Sequence, residues 1–186
     1  MDALYPAAKQ IPFLGAAGGS YVNGAPFRGI LHTTEAKDFT PSPMSYYGHS
    51  DPPHFTLAHD ADGNVAVFQH YSIRVSSRAL VHTPGLLDTN RRGAIQIEIA
   101  WTANEIAALP QDMKDALRLL MRWIEGQASI QKTSLPFLGD EAYGEGSPSR
   151  MSTDEWLSFN GWCGHQHVPE NLHWDPGKID IAYLLS

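Results

Sequence analysis

Cysteine occurs once, at Cys163, so no internal disulfide can form and cysteine usage points to no oxidising compartment. Basic residues are few and scattered. Thirteen Lys and Arg stand against 20 Asp and Glu, a formal net charge of -7 with no basic cluster, which excludes the electrostatic footprint of a nucleic-acid binder. No apolar run is long enough to span a bilayer, so stable membrane insertion is not expected. The opening MDALYPAAKQIPFLG lacks a basic start followed by an unbroken apolar stretch and does not read as a secretory signal. Internal repeats and low-complexity tracts are also missing. What is present is a balance of 42% hydrophobic and 18% charged residues over 186 positions, enough for one well-filled core and too short for two ordinary domains. Histidine, with nine copies, is abundant, and three of them fall between His165 and His173.

Residues 1–27 are rich in Gly, Ala and Pro without a clear period and are read as an arm packed on a domain of residues 28–186. The first strand is expected over Arg28 to Thr33, with His32 near its end. Thr34 to Pro53 spells a long loop of the kind that carries function. His54 to His59 and Val65 to His70 predict a hairpin across the turn-forming Asp60-Ala61-Asp62-Gly63. Ala94 to Ala100 alternates Ile95, Ile97 and Ile99 with Gln96 and Glu98, so Glu98 points away from the isoleucine face. Met113, Leu117, Leu120, Met121 and Ile124 recur at helical spacing from about Gln111 to Gln127, one apolar stripe that belongs to the core. Thr102 with Glu105, and Ser152 with Glu155, fit capping boxes of short helices. Thr133 to Arg150 is loop, and a last helix ends near Leu185. Strand, hairpin, strand, long helix, loop and terminal helix together predict an α/β chain with a mixed sheet and helices packed on it.

The C-terminal stretch Gly164-His165-Gln166-His167-Val168-Pro169-Glu170-Asn171-Leu172-His173-Trp174-Asp175-Pro176-Gly177 carries the most specific signal. With Gly29-Ile30-Leu31-His32-Thr33-Thr34 and Thr89-Asn90-Arg91-Arg92-Gly93-Ala94-Ile95-Gln96-Ile97-Glu98, it resembles the type 2 N-acetylmuramoyl-L-alanine amidases. That family also contains phage T7 lysozyme and the peptidoglycan recognition proteins, and the look is closest to amidase modules of actinobacterial phage endolysins. The resemblance runs from about Arg28 to Leu185. It implies a single α/β domain with a mixed central sheet flanked by helices, and one Zn2+ held by His32, His165 and Asp175. Glu98 matches the catalytic glutamate. Where many members carry a lysine two residues before the aspartate ligand, this chain has His173, a candidate oxyanion stabiliser with a different pH dependence. The implied activity is hydrolysis of the amide between N-acetylmuramic acid and L-alanine of bacterial peptidoglycan. The alternative is a recognition module that binds peptidoglycan without cutting it. Also implied are a monomer and a site of action at the cell wall, reached from the cytoplasm through a holin-type lesion.

The chemistry of the residues agrees. Two neutral imidazoles and one carboxylate make a three-ligand zinc site with a position left for water, the catalytic rather than the structural pattern. Such a metal acidifies water and polarises a carbonyl, and a nearby carboxylate such as Glu98 can carry the proton to the leaving amine. His167 rivals His165 as a ligand; two residues apart on an extended segment, only one of them reaches the metal. His173 could instead order its loop or replace Asp175. His54 opens a strand at the expected cleft, where substrate contact and packing are both open. Tyr46 and Tyr47 could stack on a sugar, and Arg78 and Arg92 could pair with a stem-peptide carboxylate, each against a plain structural or solvated role. His49, His59, His70 and His82 are expected at the surface.

Overall fold

Alternating apolar positions along the strands and the helical stripe at Met113 to Ile124 need a common partner, and they find it in each other. A computed structural model describes residues 4–13, 17–45, 52–139 and 147–186. Six strands form one mixed sheet: β1 (Lys9–Gln10), β2 (Arg28–Thr33), β3 (Phe55–His59), β4 (Val65–Gln69), β5 (Ala94–Ile99) and β6 (Trp162–Gly164). They lie in the order β1-β4-β3-β5-β2-β6, all neighbours parallel except the β3/β4 hairpin. One face carries Leu31, Phe55, Leu57, Ile95, Ile97 and Ile99, which pack on Met113, Leu117, Leu120, Met121 and Ile124 of α1 (Gln111–Ala128). Each such side chain contributes about 1.5–3 kcal/mol on leaving water. Two short helices, α2 (Thr153–Ser158) and α3 (Ile181–Leu185), complete the single domain. No helix among the described residues is long and apolar enough to cross a membrane.

The second sheet face is different. Ile30, Ala94 and Cys163 meet Leu80, Met151, Trp156 and Val168 in a smaller apolar cluster, and beside it lies a buried polar layer. Gln96 donates from Nε2 to Ser77 Oγ and Asn90 Oδ1, both at 2.8 Å. Glu98 sits on this face, away from the isoleucines, and is 9% exposed rather than solvated. The strand pairs with the predicted ranges nearly residue for residue, whereas β1 and β6, two and three residues long, have too little length for a period to register. The stretch before Arg28 thus supplies an edge strand of the sheet. The Ser152/Glu155 capping box forms as expected. Thr102 does not cap: residues Ala103–Ala108 make a 3-10 helix, and the Thr102 hydroxyl bonds the Glu105 carboxylate instead.

Two glycines fix how closely β2 and β6 approach the site. A Cβ on Gly29 would lie 2.1 Å from the Trp162 ring, and one on Gly164 2.6 Å from Pro176 and 2.8 Å from Phe137. Gly164 is therefore the residue that lets the following histidine be drawn tightly against the sheet.

Three histidines serve the fold as neutral rings with both nitrogens engaged. His54 Nδ1 accepts from the Gln96 amide at 3.0 Å, and Nε2 donates to Val75 O at 2.9 Å. His70, expected at the surface, is buried: Nδ1 donates to Ile11 O at 2.8 Å, the Thr56 hydroxyl lies 2.9 Å from Nε2, and Phe13 stacks on the ring. His167 Nδ1 accepts from the Gly164 amide, and Nε2 donates to Pro136 O at 2.9 Å. Burial pushes all three pKa values down to about 4, and a second ring proton would displace an acceptor each fold needs. Unfolded histidine titrates near about 6.5, so below that pH the unfolded chain binds more protons than the folded one. Their stabilisation is complete above that value and is lost as pH falls toward 4, by about 3 kcal/mol per ring against a total stability of about 5–15 kcal/mol. The guanidinium unfolding midpoint is therefore expected to drop steeply between pH 7.5 and 4.5. Equal midpoints at the two values would show that these rings are not held neutral.

Candidate metal centre and cleft

Strand register assembles the site. His32 pairs with Glu98 across β2 and β5, and Leu31 pairs with Gly164 across β2 and β6, so His165 emerges beside His32 at the next position. All three sit at the carboxyl ends of parallel strands, the end where open sheets place ligands. Asp175 reaches the same point from the following loop, and the Thr33 amide donates to its Oδ2 at 3.4 Å.

The donor atoms converge. His32 Nδ1 lies 3.2 Å from His165 Nδ1, His165 Nδ1 lies 3.3 Å from Asp175 Oδ1, and His32 Nδ1 lies 3.5 Å from Asp175 Oδ2. Metal bonds of about 2.0–2.1 Å at a tetrahedral angle put donors about 3.3–3.4 Å apart, so the spacing suits one small ion. All three residues are buried, and together they can hold a metal. Burial lowers the His32 pKa to about 4, which keeps its ring neutral and its lone pair available. For Asp175, burial alone would raise the pKa; neighbouring His165 and hydrogen bonds involving His165, His173 and His32 outweigh it and hold the carboxyl well below its usual range. His165 Nε2 lies 2.9 Å from Asn171 Oδ1.

Around these donors opens a cavity of about 320 Å³, walled by Thr33, Glu35, Ala79, Val81 and Trp174 and floored by the three donors, with Glu98 and His173. Glu98 Oε1 is 4.0 Å from His32 Nδ1. The His173 ring stacks on His165 with centroids 4.1 Å apart and planes 5° apart, and its Nδ1 lies 3.6 Å from Asp175 Oδ1. Its side chain remains 54% exposed, so it stands on the open side of the centre.

The remaining sequence candidates fall elsewhere. His167 is outside the donor cluster, though not for the reason of strand alternation: His165–His167 is a 3-10 turn, and His167 points back under the loop. His54 is fully buried, with its nitrogens used by Gln96 and Val75, and does not line the cleft. Arg78 is exposed next to cleft-lining Ala79, and Arg92 is partly buried; neither lines the cavity. Tyr46, Tyr47 and His49 lie outside the described residues. Sequence reading missed Asn171, Val81 and Glu35, for which a single Asn, Val or Glu in a loop gives no signal.

No family model matches the chain, and neither does any curated protein sequence. Solved structures do match. An endolysin N-acetylmuramoyl-L-alanine amidase of Clostridium intestinale, LysCS, superposes with a TM-score of 0.60 at 16% identity, covering 98% of this chain and 95% of that one. A second amidase of the same organism, LysC, gives 0.56 at 14% identity over 95% and 94% of the two chains. A Drosophila peptidoglycan recognition protein, SD, gives 0.53 at 16% identity over 94% and 86%. The chain has the fold that these amidases and recognition proteins share.

Proposed function

We propose that this chain is a zinc-dependent N-acetylmuramoyl-L-alanine amidase acting on bacterial peptidoglycan, as the catalytic module of a phage endolysin. The observation that carries the reading is the convergence of His32, His165 and Asp175 at metal-binding spacing beside Glu98 in one open cleft. Two neutral imidazoles and a carboxylate suit zinc and leave a coordination position for chemistry. Bound there, zinc would supply Lewis acidity toward the amide carbonyl and make water more acidic near neutral pH.

The chain's own groups supply the rest. Glu98 would take a proton from the attacking water as oxygen adds to the carbonyl carbon, then deliver it to the alanine nitrogen as the C–N bond breaks. His173, on the solvent side of the centre, would donate to the developing oxyanion. A binding-only recognition module has no need of a complete donor set with a carboxylate beside it, and the presence of all four residues favours hydrolysis.

Mass spectrometry of muropeptides after digestion of purified cell walls is expected to show free L-alanine amino termini on released stem peptides. Chelation should abolish that release and added zinc restore it. Wall binding without release would leave the recognition-module reading standing. Glu98→Ala is expected to keep the fold and the metal and lose a factor of about 10²–10⁴ in turnover; near-normal turnover would remove Glu98 from the mechanism. His173→Ala should lower kcat by roughly 10²–10³ at unchanged zinc content. Because imidazole titrates near about 6.5 and an ammonium near about 10.4, His173→Lys should keep activity and extend it to higher pH. Full turnover in His173→Ala would reduce this residue to ordering its loop, and loss of metal would make it a ligand.

A further inference from the structure

Asn171 sits in the loop between the two late donors and is 2% exposed. Its carboxamide makes three contacts, and two of the partners are backbone groups with only one possible role. Nδ2 lies 3.0 Å from the Pro169 carbonyl, which can only accept, and Oδ1 lies 3.1 Å from the Val81 amide, which can only donate. The orientation of the amide is therefore decided by the backbone. Oδ1 also lies 2.9 Å from His165 Nε2, so in the neutral ring Nε2 must carry the hydrogen. With Nε2 so committed, the neutral ring keeps its lone pair on Nδ1, the atom that faces His32 and Asp175; a hydrogen bond to the Asp175 carboxylate adds a second ring hydrogen there, which a metal would displace on binding.

The preceding residue points the same way. Glu170 has φ +64, a left-handed conformation that a non-glycine residue adopts at a cost, and it turns the chain immediately before Asn171. The same oxygen also accepts from the amide of Val81, another residue that lines the cavity, so one carboxamide ties a donor ring to the backbone of the cavity lining.

We propose that Asn171 is a positioning residue: it presets the tautomer and plane of His165, so that the centre is ready for a metal before one arrives. This rests on the reading of His165 as a ligand. Outer groups of this kind typically govern metal affinity by about 10–100-fold.

The test uses zinc alone, measured by competition with a chromogenic chelator, on the full chain and on Asn171→Ala, Asn171→Asp and His165→Ala. Asn171→Ala is expected to weaken zinc binding by about 10–100-fold. Asn171→Asp keeps the acceptor for His165 Nε2 and should restore most of that loss, even though it gives up the donor to Pro169. Nitrogen-15 shifts of the His165 ring in the metal-free wild-type protein should report hydrogen on Nε2, a readout that survives if a variant fails to fold. Hydrogen on Nδ1 with none on Nε2 in the wild type would overturn the proposal. So would Asn171→Ala binding zinc within twofold of wild type while His165→Ala loses it. If His165→Ala itself binds zinc normally, the ligand reading fails first.

Discussion

Parallel pairing of β2 with β5 on one side and β6 on the other is the constraint on which the site depends. A register shift of one residue in either pair would turn a side chain to the opposite sheet face, sending Glu98 into the isoleucine layer or carrying His165 away from His32. What prevents the shift is apolar burial on the α1 side, where Ile95, Ile97, Ile99 and Leu31 have no exposure to give up. The hydrophobic face thus sets the geometry of the polar face. Close contact between Gly29 and Trp162 then sets the spacing of β2 and β6, and the absence of a side chain at Gly164 lets the late loop fold down onto the strand ends.

Legibility in the sequence followed the range of the interactions involved. β2, the hairpin, β5 and α1 could be read because their residues obey a period of 2 or 3.6 over five or more positions. The candidate donors and Glu98 stood out because short motifs surround them, although only the register shows why they meet. His70 could not be read: its partners are the Ile11 carbonyl, 59 positions away, and the Thr56 hydroxyl, and no local pattern marks a histidine destined for such contacts. His54 is similar, its ring closing a gap between β5 and the Val75 loop. For His167 the expectation of separation from His165 held while its basis did not, since a 3-10 turn and two backbone hydrogen bonds direct the ring away. Asn171 was invisible for the same reason as His70, because its importance lies in what its two backbone partners force its third contact to be.

On the proposed reading, charge balance favours a dication at this centre and accommodates His173, where the resembling family often has lysine. The centre holds Asp175, kept ionised, with Glu98 close by, while burial keeps His32 neutral. The ionised Asp175 carboxylate, about a tenth exposed at the bottom of the cleft, lacks full solvation. A divalent cation bound between the donors cancels that charge without any further positive group. A lysine at position 173 would add a permanent charge beside the metal, useful for an oxyanion but repulsive toward the ion. On that reading imidazole relaxes the conflict: stacked on His165, it would present an N–H as negative charge develops without adding a permanent charge beside the ion. Its half-exposed side chain leaves the ring open to solvent, so on the proposed reading a histidine at position 173 would offer a charge that follows the reaction in place of a fixed one.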